Sequence, residues 1–563
     1  TCDHLPVLME EFLANHYAMK RLDDGIRNNT VDQMIKRLDI TKTLLYEADV
    51  EKLKRDIMGM FVTMQDGNCS ALEGVYSLLL TRARENEKFV KKFLGPDYKL
   101  DENVELDTDL DKRSYPKTRS EKEDILRKYV HFQIANLLLA WHSLEEARKQ
   151  QIHHYELQTK RLSERQGGKL VTSFTESFAL ALDPHSSYLS PENMEDFRIK
   201  MQLSLEGIGA ALSSENGFTV IEELIPGGGA ERSGVLKPKD KIIAVAQEGE
   251  KPVNVIDMDL KDVIRKIRGK KGTKVTLTIL RQADRMNRFT VTIVRDTINI
   301  KEQEAKLTYE TRQAGRKQYV FGVIDLPSFY GGGKDGKSCY KDVKNLLIEA
   351  KGKKVDGIVL NLSRNGGGLL SDAVRVAGLF LDRGGVVATK DAESNITILA
   401  NGITAQKSRE DKRRVLSHPR EDRAAVFTGP MVVITSRLSA SASEIVAGAL
   451  KDYGRAVIVG ADHTFGKGSV QTMTPLAYGL GAISVTTQMY FLPGGKSTQK
   501  EGVAADIILP GLFSSEKIGE SVLDYPLPSQ AIPPFINTLG ESSKQHPAWR
   551  QVDPSLITAL SKK

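Results

Sequence analysis

Apolar residues recur every three or four positions through most of the first 165 residues, with long charged side chains between them. The stretches LPVLMEEFLANHYAMKRL and YVHFQIANLLLAWHSLEEARKQQIHHYELQTKRL show this spacing and contain no glycine. Such a period places the apolar side chains on one face of a helix. The pattern predicts a helical N-terminal domain over residues 1–165, interrupted by a polar loop over residues 95–124.

The pattern changes after residue 165. Residues 166–203 predict two helices with a turn at Asp183, the second helix being opened by Ser190 before a proline. Over residues 204–290, short β-branched runs such as FTVIEEL, KIIAVA and VTLTIL are separated by glycines. This region predicts a small strand-rich module with one helix, LKDVIRKI.

Strands and helices alternate over residues 291–510. The runs YVFGVIDL, VDGIVLNLS and GPMVVITS predict strands that are each followed by a helical segment, and RAVIVG predicts a further strand. This alternation is typical of a parallel sheet with crossover helices. We therefore predict a multidomain α/β protein, in which the strand-rich module is followed by a region built on a parallel sheet. Residues 511–563 are predicted to be an extended tail before a short helix.

Composition and charge argue against several classes of protein and of binding site. The 563 residues are 40% hydrophobic and 27% charged, which is ordinary for a soluble globular protein. Eighty basic and 73 acidic residues nearly balance, and the basic clusters lack interleaved aromatics, which argues against a nucleic-acid partner. No apolar run reaches the ~18 residues of a membrane span. Three scattered cysteines predict neither a disulfide framework nor a zinc site.

In a parallel sheet, functional residues gather at the carboxyl ends of the strands. One such end carries LSASASEI, in which small residues flank Ser441 just before a helix. A capping box formed by Ser441 and Glu444 explains this pattern without any chemistry. The same position would also expose a serine hydroxyl beside unpaired helix N–H groups that can hold an oxyanion. The sequence leaves both interpretations open.

A serine hydroxyl needs a base to become a nucleophile. The segment ADHTFGKGSVQ offers Lys467 between two glycines, and Gln471 as a partner that could orient it. As a base, Lys467 needs a pKa well below the ordinary ~10.4, which burial can provide. A phosphate-loop interpretation fails, because Lys467 is followed by glycine and Ala461 stands where that motif needs glycine.

A Ser-His-Asp triad is an alternative, with His463 and either Asp452 or Asp462 beside Ser441. The serine lacks the G-x-S-x-G elbow that often accompanies such triads. We therefore expect His463 to be a surface loop residue.

Two glycine-rich segments complete the pattern. In NLSRNGGGLL, residues 361–370, the glycines allow a backbone N–H to approach a reacting carbonyl. In SLEGIGA, residues 204–210, a glycine loop that leads into a strand could bind a peptide carboxylate while the peptide adds a strand. Plain structural turns explain both segments equally well.

In chain order, the motifs resemble those of the tail-specific (carboxy-terminal processing) proteases of the S41 peptidase family. The resemblance extends over roughly residues 1–540 and is closest to the large bacterial type with a helical N-terminal region. It rests on DPHSSYLSP, SLEGIGA, SRNGGG, SASASEI, DYGRAVIVG, TFGKGSVQ and GGKSTQKEGVAADIILP. It implies a crotonase/Clp-protease-like α/β serine protease core with an inserted PDZ domain.

The resemblance also implies residue roles. The nucleophile would be Ser441 and the general base Lys467, supported by Gln471. The oxyanion hole would be formed by the N–H groups of Gly368 and Ala442. Further supporting positions would be Gly367, Glu444, Asp452 and Thr464. The carboxylate-binding loop of the PDZ domain would be Gly207, Ile208 and Gly209.

The implied function is a serine endopeptidase that recognises apolar C-terminal tails of protein substrates and cleaves or degrades them, with no metal or organic cofactor. Membrane-associated substrates and an adaptor protein are compatible with it, and a periplasmic or otherwise extracytoplasmic location is expected. Two other hypotheses are a catalytically silent PDZ scaffold and a crotonase-like acyl-CoA enzyme. The second leaves the PDZ segment unexplained.

Three departures from the family pattern stand out. NLSRNGGG replaces the commoner aspartate-leucine-arginine opening. The loop GADHTFGKG is one residue longer and adds His463. The segment KPKDKI lacks the usual glycine before Asp240.

Overall fold

The computed structural model describes most of the chain, namely residues 2–101, 103–140, 143–164, 168–282, 286–333, 336–401, 406–407, 413–418, 425–536, 555 and 558–559. The chain divides into two compact units. The first comprises Thr1–Leu8, Arg27–Ser177 and Ser204–Asn299. The second comprises Met9–Ile26, Phe178–Leu203 and Ile300–Lys563.

The helices and strands are numbered in chain order. The α-helices of the described residues are α1 (Leu5–Asn15), α2 (Asp24–Leu38), α3 (Glu47–Thr63), α4 (Ser70–Phe93), α5 (Arg119–Leu139), α6 (Leu144–Ser163), α7 (Gly168–Leu182), α8 (Pro191–Gln202), α9 (Gly229–Arg232), α10 (Leu260–Ile267), α11 (Cys339–Gly352), α12 (Leu370–Ala377) and α13 (Ala442–Asp452). The strands are β1 (Ser187–Leu189), β2 (Ser204–Gly207), β3 (Ala210–Glu215), β4 (Phe218–Leu224), β5 (Lys241–Gln247), β6 (Val253–Asn254), β7 (Lys274–Gln282), β8 (Met286–Val294), β9 (Asp296–Asn299), β10 (Lys306–Ala314), β11 (Lys317–Asp325), β12 (Gly357–Asn361), β13 (Gly384–Asp391), β14 (Ile396–Asn401), β15 (Gln406–Lys407), β16 (Arg413–His418), β17 (Met431–Thr435), β18 (Val457–Gly460), β19 (Ser469–Pro475), β20 (Ala482–Phe491) and β21 (Ile507–Ile508).

The N-terminal region is helical, as predicted. The predicted loop is too long at its C-terminal end, because α5 begins at Arg119. Thr118 caps that helix by accepting a hydrogen bond from the N–H of Glu121 (3.2 Å), which makes the charged run RSEKED a helix start. Cys2 and Cys69 form a disulfide, a pairing that the sequence pattern did not predict.

The strand-rich module forms a six-stranded sheet in the order β3-β4-β5-β7-β8, with β6 beside β5. The predicted helix is α10, whose Val263 and Ile267 lie in the apolar core of the module. Among the described residues β3 pairs only with β4, so it is an edge strand. In the segment KPKDKI, Lys239 takes the left-handed conformation (φ +72°) where the family pattern has glycine.

The second unit contains the predicted parallel sheet. Its order is β10-β11-β12-β17-β18-β21, with every pair parallel except β10 with β11. Strands β12, β17 and β18 end at Asn361, Thr435 and Gly460, so the three loops singled out from the sequence leave the same edge. The multidomain α/β fold class is confirmed.

Two features of this unit were not predicted. A seven-stranded sheet joins β1, β20, β13, β14, β16 and β15, with β19 beside β20. The segment after residue 511 is also more than an extended tail, because Glu520 and Phe535 are buried and Lys496 forms a bridge with Ala531. Apolar residues spaced widely along this segment pack one at a time, which leaves no periodic signal in the sequence.

Candidate active site

The three serines of LSASASEI have different roles. The Ser439 hydroxyl donates to the carbonyl of Leu362 (2.8 Å), and the Ser443 hydroxyl donates to the carbonyl of Asn365 (2.8 Å). These two fully buried side chains tie the serine loop to the neighbouring glycine loop. Ser441 lies between them and is partly exposed.

Ser441 is the N-cap of α13, and its N–H donates to Glu444 Oε2 (2.7 Å), one half of the predicted capping box. Its backbone, however, has φ +56° and ψ −114°. An N-cap normally has extended φ/ψ, and a positive φ of this kind costs a non-glycine residue about 1–3 kcal/mol. Capping therefore does not account for the strained backbone of Ser441, which makes this residue a candidate functional position.

Asn365 holds the glycine loop against the serine. Its side-chain oxygen accepts from the N–H of Gly367 (2.9 Å), and its amide donates to the carbonyl of Leu326 (2.8 Å). A Cβ on Gly367 would lie 2.9 Å from Ser441 Cβ, so this glycine permits the contact. Asn365, the residue that follows NLSR, therefore anchors the glycine loop.

Two backbone donors remain available next to Ser441. The N–H groups of Gly368 and Ala442 make no hydrogen bond within the described residues. Gly368 (φ +146°) lies against Phe329, with which it forms a bridge, and Ala442 is the first residue of α13. Both N–H groups could therefore donate to the carbonyl oxygen of a substrate that Ser441 attacks.

Glu444 connects the serine to the lysine. One carboxylate oxygen, Oε2, accepts from the N–H of Ser441 (2.7 Å) and from the N–H of Lys467 (3.0 Å). The other accepts from the N–H of Gly466 (2.7 Å) and from the Thr464 hydroxyl (2.6 Å). Burial raises the pKa of Glu444 to about 8, against the effect of these four hydrogen bonds. Because all four partners donate, a proton on Glu444 would displace one of them.

Tyr490 also connects Ser441 and Lys467, by contacting their backbone carbonyl groups. Its hydroxyl contacts the carbonyl oxygens of Ser441 (3.3 Å) and Lys467, and Thr498 adds a hydroxyl to the Lys467 carbonyl (2.7 Å). Tyr490 is fully buried. The backbones of Ser441 and Lys467 are thus held together by one acid and one phenol.

The two glycines beside Lys467 serve different purposes. Gly466 has φ +97°, a conformation that favours glycine. A Cβ on Gly468 would lie 2.7 Å from the N of Gln499, whose side chain accepts from the N–H of Gly468 (2.8 Å). Burial lowers the pKa of Lys467, while the carboxylates of Glu520, Asp183 and Glu444 act in the opposite direction.

Gln471 lies on β19, four residues after the lysine. Its amide donates to the hydroxyls of Ser469 (2.9 Å) and Thr486 (2.9 Å). Within the described residues its amide makes no hydrogen bond to the Lys467 amine. The structure therefore places Gln471 near the lysine loop as part of a hydroxyl network.

Two candidates lie away from Ser441. Asp452 ends α13, about 16 Å along the helix axis, and accepts from the N–H of Gly494 (2.7 Å). His463 is partly buried, with Nδ1 bonded to the carbonyl of Thr464 (2.6 Å), and Asp462 is bound by Arg437 (2.7 Å). In the described chain no hydrogen bond joins His463 to Ser441, so a triad with these residues is not assembled.

Three residues near Lys467 did not emerge from the sequence pattern. Asp183 and His185 come from the turn after α7, and Glu520 comes from the C-terminal segment. His185 Nε2 lies 2.7 Å from Glu520. The motif DPHSSYLSP carried a signal for the first two residues, but spacing alone could not show that this turn faces the lysine.

In the first unit, the predicted tail-binding loop follows β2. Ile208 is buried in the core of the strand-rich module, and its carbonyl accepts from the N–H of Ala230 (2.7 Å). Gly209 has φ +76° and directs the chain into β3. Gly207 ends β2, so the three residues form one tight connection between two strands.

Among the described residues, no group of three or more His, Cys, Asp or Glu side chains is placed to hold a metal ion. The described helices include none with the length and apolarity needed to cross a membrane.

Three sequence families match successive parts of the chain. The Tail specific protease N-terminal domain matches residues 8–192, the PDZ domain matches residues 196–280, and Peptidase family S41 matches residues 320–509. Together they include every motif quoted above except the final residue of the last one.

Named relatives agree with these families. The Tail-specific protease of Haemophilus influenzae is 34% identical over 527 residues, covering 92% of this chain and 71% of that protein. The Carboxy-terminal-processing protease of Bartonella bacilliformis is 31% identical, covering 61% and 70%.

Among solved structures, the photosystem II D1 C-terminal processing protease is 24% identical with a TM-score of 0.34, covering 67% of this chain and 93% of that one. The PDZ domain of a carboxy-terminal protease from Vibrio cholerae, solved in complex with a peptide, is 46% identical with a TM-score of 0.17, covering 17% and 99%.

Proposed function

The chain belongs to the tail-specific proteases of peptidase family S41, and on this premise we propose that it is a serine endopeptidase with a Ser441/Lys467 dyad. The observation that carries the proposal is the sharing of one carboxylate oxygen. Glu444 Oε2 accepts from the backbone N–H of both Ser441 and Lys467, which fixes the two residues side by side. Tyr490 holds the same pair at their carbonyls.

The reaction begins with the neutral Lys467 amine taking the proton of the Ser441 hydroxyl as Oγ attacks the substrate carbonyl carbon. The N–H groups of Gly368 and Ala442 hold the resulting oxyanion. As the C–N bond breaks, the Lys467 ammonium returns its proton to the leaving amine. Water, deprotonated by the same amine, then attacks the acyl-enzyme. As the ester C–O bond breaks, the Lys467 ammonium returns its proton to Ser441 Oγ, which frees the serine and the new carboxyl terminus.

Lowered basicity is what allows Lys467 to play this part at neutral pH. Burial disfavours the ammonium form and lowers the pKa of Lys467. The neutral fraction, and with it the cleavage rate, should rise with pH up to that lowered pKa and level off above it. Supporting groups are Glu444 and Thr464, which hold the loop, and Gln471, which we assign to the hydroxyl network beside it.

Substrate tails are assigned to the strand-rich PDZ module. Strand β3 is an edge strand that can accept a further strand, and the loop Gly207–Gly209 leads directly into it. Leu212 on β3 is partly buried against the apolar core to which Val263 of α10 belongs. A peptide added between β3 and α10 would meet apolar side chains, which supports a preference for apolar C-terminal residues.

An extracytoplasmic location fits the Cys2–Cys69 disulfide, because such bonds persist in oxidising compartments. We expect non-reducing electrophoresis of protein isolated from its native cell to show this bond. A fully reduced pair would contradict the assigned location.

The test of the proposal is degradation of one unfolded reporter that ends in either an apolar or a charged tail. We expect faster cleavage of the apolar form, lost in Ser441→Ala and in Lys467→Ala. Tail binding without cleavage by the unaltered chain would instead support a silent scaffold.

A further inference from the structure

Lys467 has acidic neighbours but no acidic partner. Three carboxylates act on its charge, Glu520 of the C-terminal segment, Asp183 of the turn after α7, and Glu444 of α13. Within the described residues the Lys467 amine nevertheless makes no ion pair. A lysine paired with any of these acids would be held in its charged form and could not take a proton from Ser441.

Each of the three carboxylates is engaged by other groups. Glu444 accepts the four hydrogen bonds described above. Asp183 accepts from the Thr486 hydroxyl (2.9 Å) and contacts His16 Nε2 (2.9 Å). The His16 ring presents its Nδ1 to the N–H groups of Ala18 (3.1 Å) and Met19 (2.8 Å), so Nε2 carries the hydrogen and donates to Asp183.

Burial alone would raise the pKa of Asp183. The hydrogen bonds from His16, Ser186 and the N–H of His185, together with the charge that His16 carries when it is protonated, outweigh burial and lower that pKa to about 2. Asp183 is therefore ionised at neutral pH, and its carboxylate is hydrogen-bonded to His16.

Glu520 is the acid with the largest effect on the charge of Lys467. Like Asp183, it is held by a histidine and a second side chain. One of its oxygens accepts from Gln499 Nε2 (2.8 Å), and the other lies 2.7 Å from His185 Nε2. The Glu520 side chain is 1% exposed and that of His185 is 17% exposed. The backbone N–H of Glu520 donates to the carbonyl of Phe465 (2.8 Å), two residues before Lys467.

The short turn Asp183–Ser186 therefore supplies a member to each of two acid–imidazole pairs. Asp183 pairs with His16 of the N-terminal segment, and His185 pairs with Glu520 of the C-terminal segment. This gives the motif DPHSS a role that its sequence alone did not reveal.

We propose that His185 is a positioning residue: it donates from Nε2 to Glu520 and keeps this carboxylate in the Gln499 cluster, out of contact with the Lys467 amine. The proposal rests on the Ser441/Lys467 mechanism. Without His185, Glu520 is free to turn toward the lysine, and the base then keeps its proton to higher pH. The charged groups that act on Lys467 are Glu520, Asp183 and Glu444. His185 and His16 contact the first two of these acids.

The experiment measures the rate at which a fluorophosphonate labels Ser441, as a function of pH, in the full chain. Labelling needs no tail binding, so it reports on the serine and its base alone. The variants are His185→Ala, His185→Gln, Glu520→Gln, the double variant His185→Ala with Glu520→Gln, and Lys467→Ala. His154→Ala, on the exposed side of α6, is the matched histidine control.

We expect the pH of half-maximal labelling to rise by about one unit in His185→Ala, the size of effect that a nearby opposite charge has on a pKa. The rate at alkaline pH should recover to that of the native chain. His185→Gln, which retains an N–H donor for Glu520, should stay close to native. Glu520→Gln should lower the midpoint, and the double variant should lose the upward shift.

An unchanged midpoint in His185→Ala, with a lower rate at every pH, would overturn the proposal and leave His185 a structural role. Should His185→Ala fail to fold, an unchanged midpoint in Glu520→Gln would overturn it equally. Native-like labelling by Lys467→Ala would instead contradict the proposed function itself. If Lys467→Ala labelled like the native chain and His185→Ala lost labelling completely, His185 would be the base.

Discussion

The lysine loop, residues 464–468, and the tail-binding segment, residues 207–215, are both glycine-containing loops at strand ends, yet they are built in opposite ways. In the lysine loop, nearly every backbone group already has a partner, including Glu444, Gln499, Tyr490 and Thr498. The tail-binding segment ends in β3, a strand whose outer edge is unpaired among the described residues.

This difference matches the two tasks that we propose for the two regions, catalysis and tail recognition. Catalysis requires groups that are fixed before the transition state arrives, so that no reorganisation is needed during the reaction. Tail recognition by strand addition requires the reverse, an edge that the ligand itself completes. We therefore expect substitutions in the first region to change kcat and those in the second to change KM.

The largest effect is expected from Lys467→Ala. Loss of the base should lower reporter cleavage by at least about 10³-fold, as removal of a member of a catalytic unit does in serine proteases. Binding of the apolar tail should be unchanged, which fluorescence anisotropy of a labelled tail peptide checks. Lys353→Ala, at the exposed end of α11, is the control and should cleave normally.

Glu444→Gln comes next. A glutamine amide group keeps one acceptor oxygen but turns its NH₂ toward two of the four donors that Glu444 now accepts. We expect kcat to fall about 10²-fold with little change in KM, from steady-state cleavage of a tailed reporter. A variant with native kcat and altered KM would show that the site does not depend on this carboxylate.

Gly367→Ala is predicted to reduce kcat about 10-fold or more. Its new Cβ would lie 2.9 Å from both Ser441 Cβ and the carbonyl of Ala440, at a φ of +105°. Gly366→Ala is a close control, because a Cβ there meets nothing within 4 Å. Equal rates in the two variants would mean that the glycine loop does not touch the working serine.

The smallest effect is expected from a substitution in the tail-binding segment. Leu212→Lys on β3 should raise KM for an apolar-tailed reporter several-fold and leave cleavage of a short peptide without such a tail unchanged. Val253→Lys, at an exposed position on β6, is the matched control. A fall in short-peptide kcat would contradict the division of tasks.

Much of the parallel sheet could be predicted from the sequence, because apolar strands alternate with helices at regular lengths. The position of Ser441 between a strand and a helix followed from the same pattern, since β17 ends at Thr435 and α13 begins at Ala442. The two glycines flanking Lys467 were visible in the sequence, but only the structure shows that one has a positive φ and the other a close approach.

The contacts around the lysine could not be predicted in this way. Glu520 is 53 residues beyond Lys467 in an irregular segment, and His185 is more than 280 residues before it. No periodicity connects such distant residues, and only the folded chain brings His185, Glu520 and Gln499 into one cluster. The disulfide between Cys2 and Cys69 was missed for the same reason.

The central claim is that Ser441 is activated by Lys467. The most direct measurement is peptide mapping by mass spectrometry after reaction with a serine-reactive phosphonate near pH 8. We expect a single adduct on Ser441, absent in Lys467→Ala and retained in His463→Ala. An adduct on Ser439 or Ser443, or one that survives Lys467→Ala and disappears in His463→Ala, would contradict it.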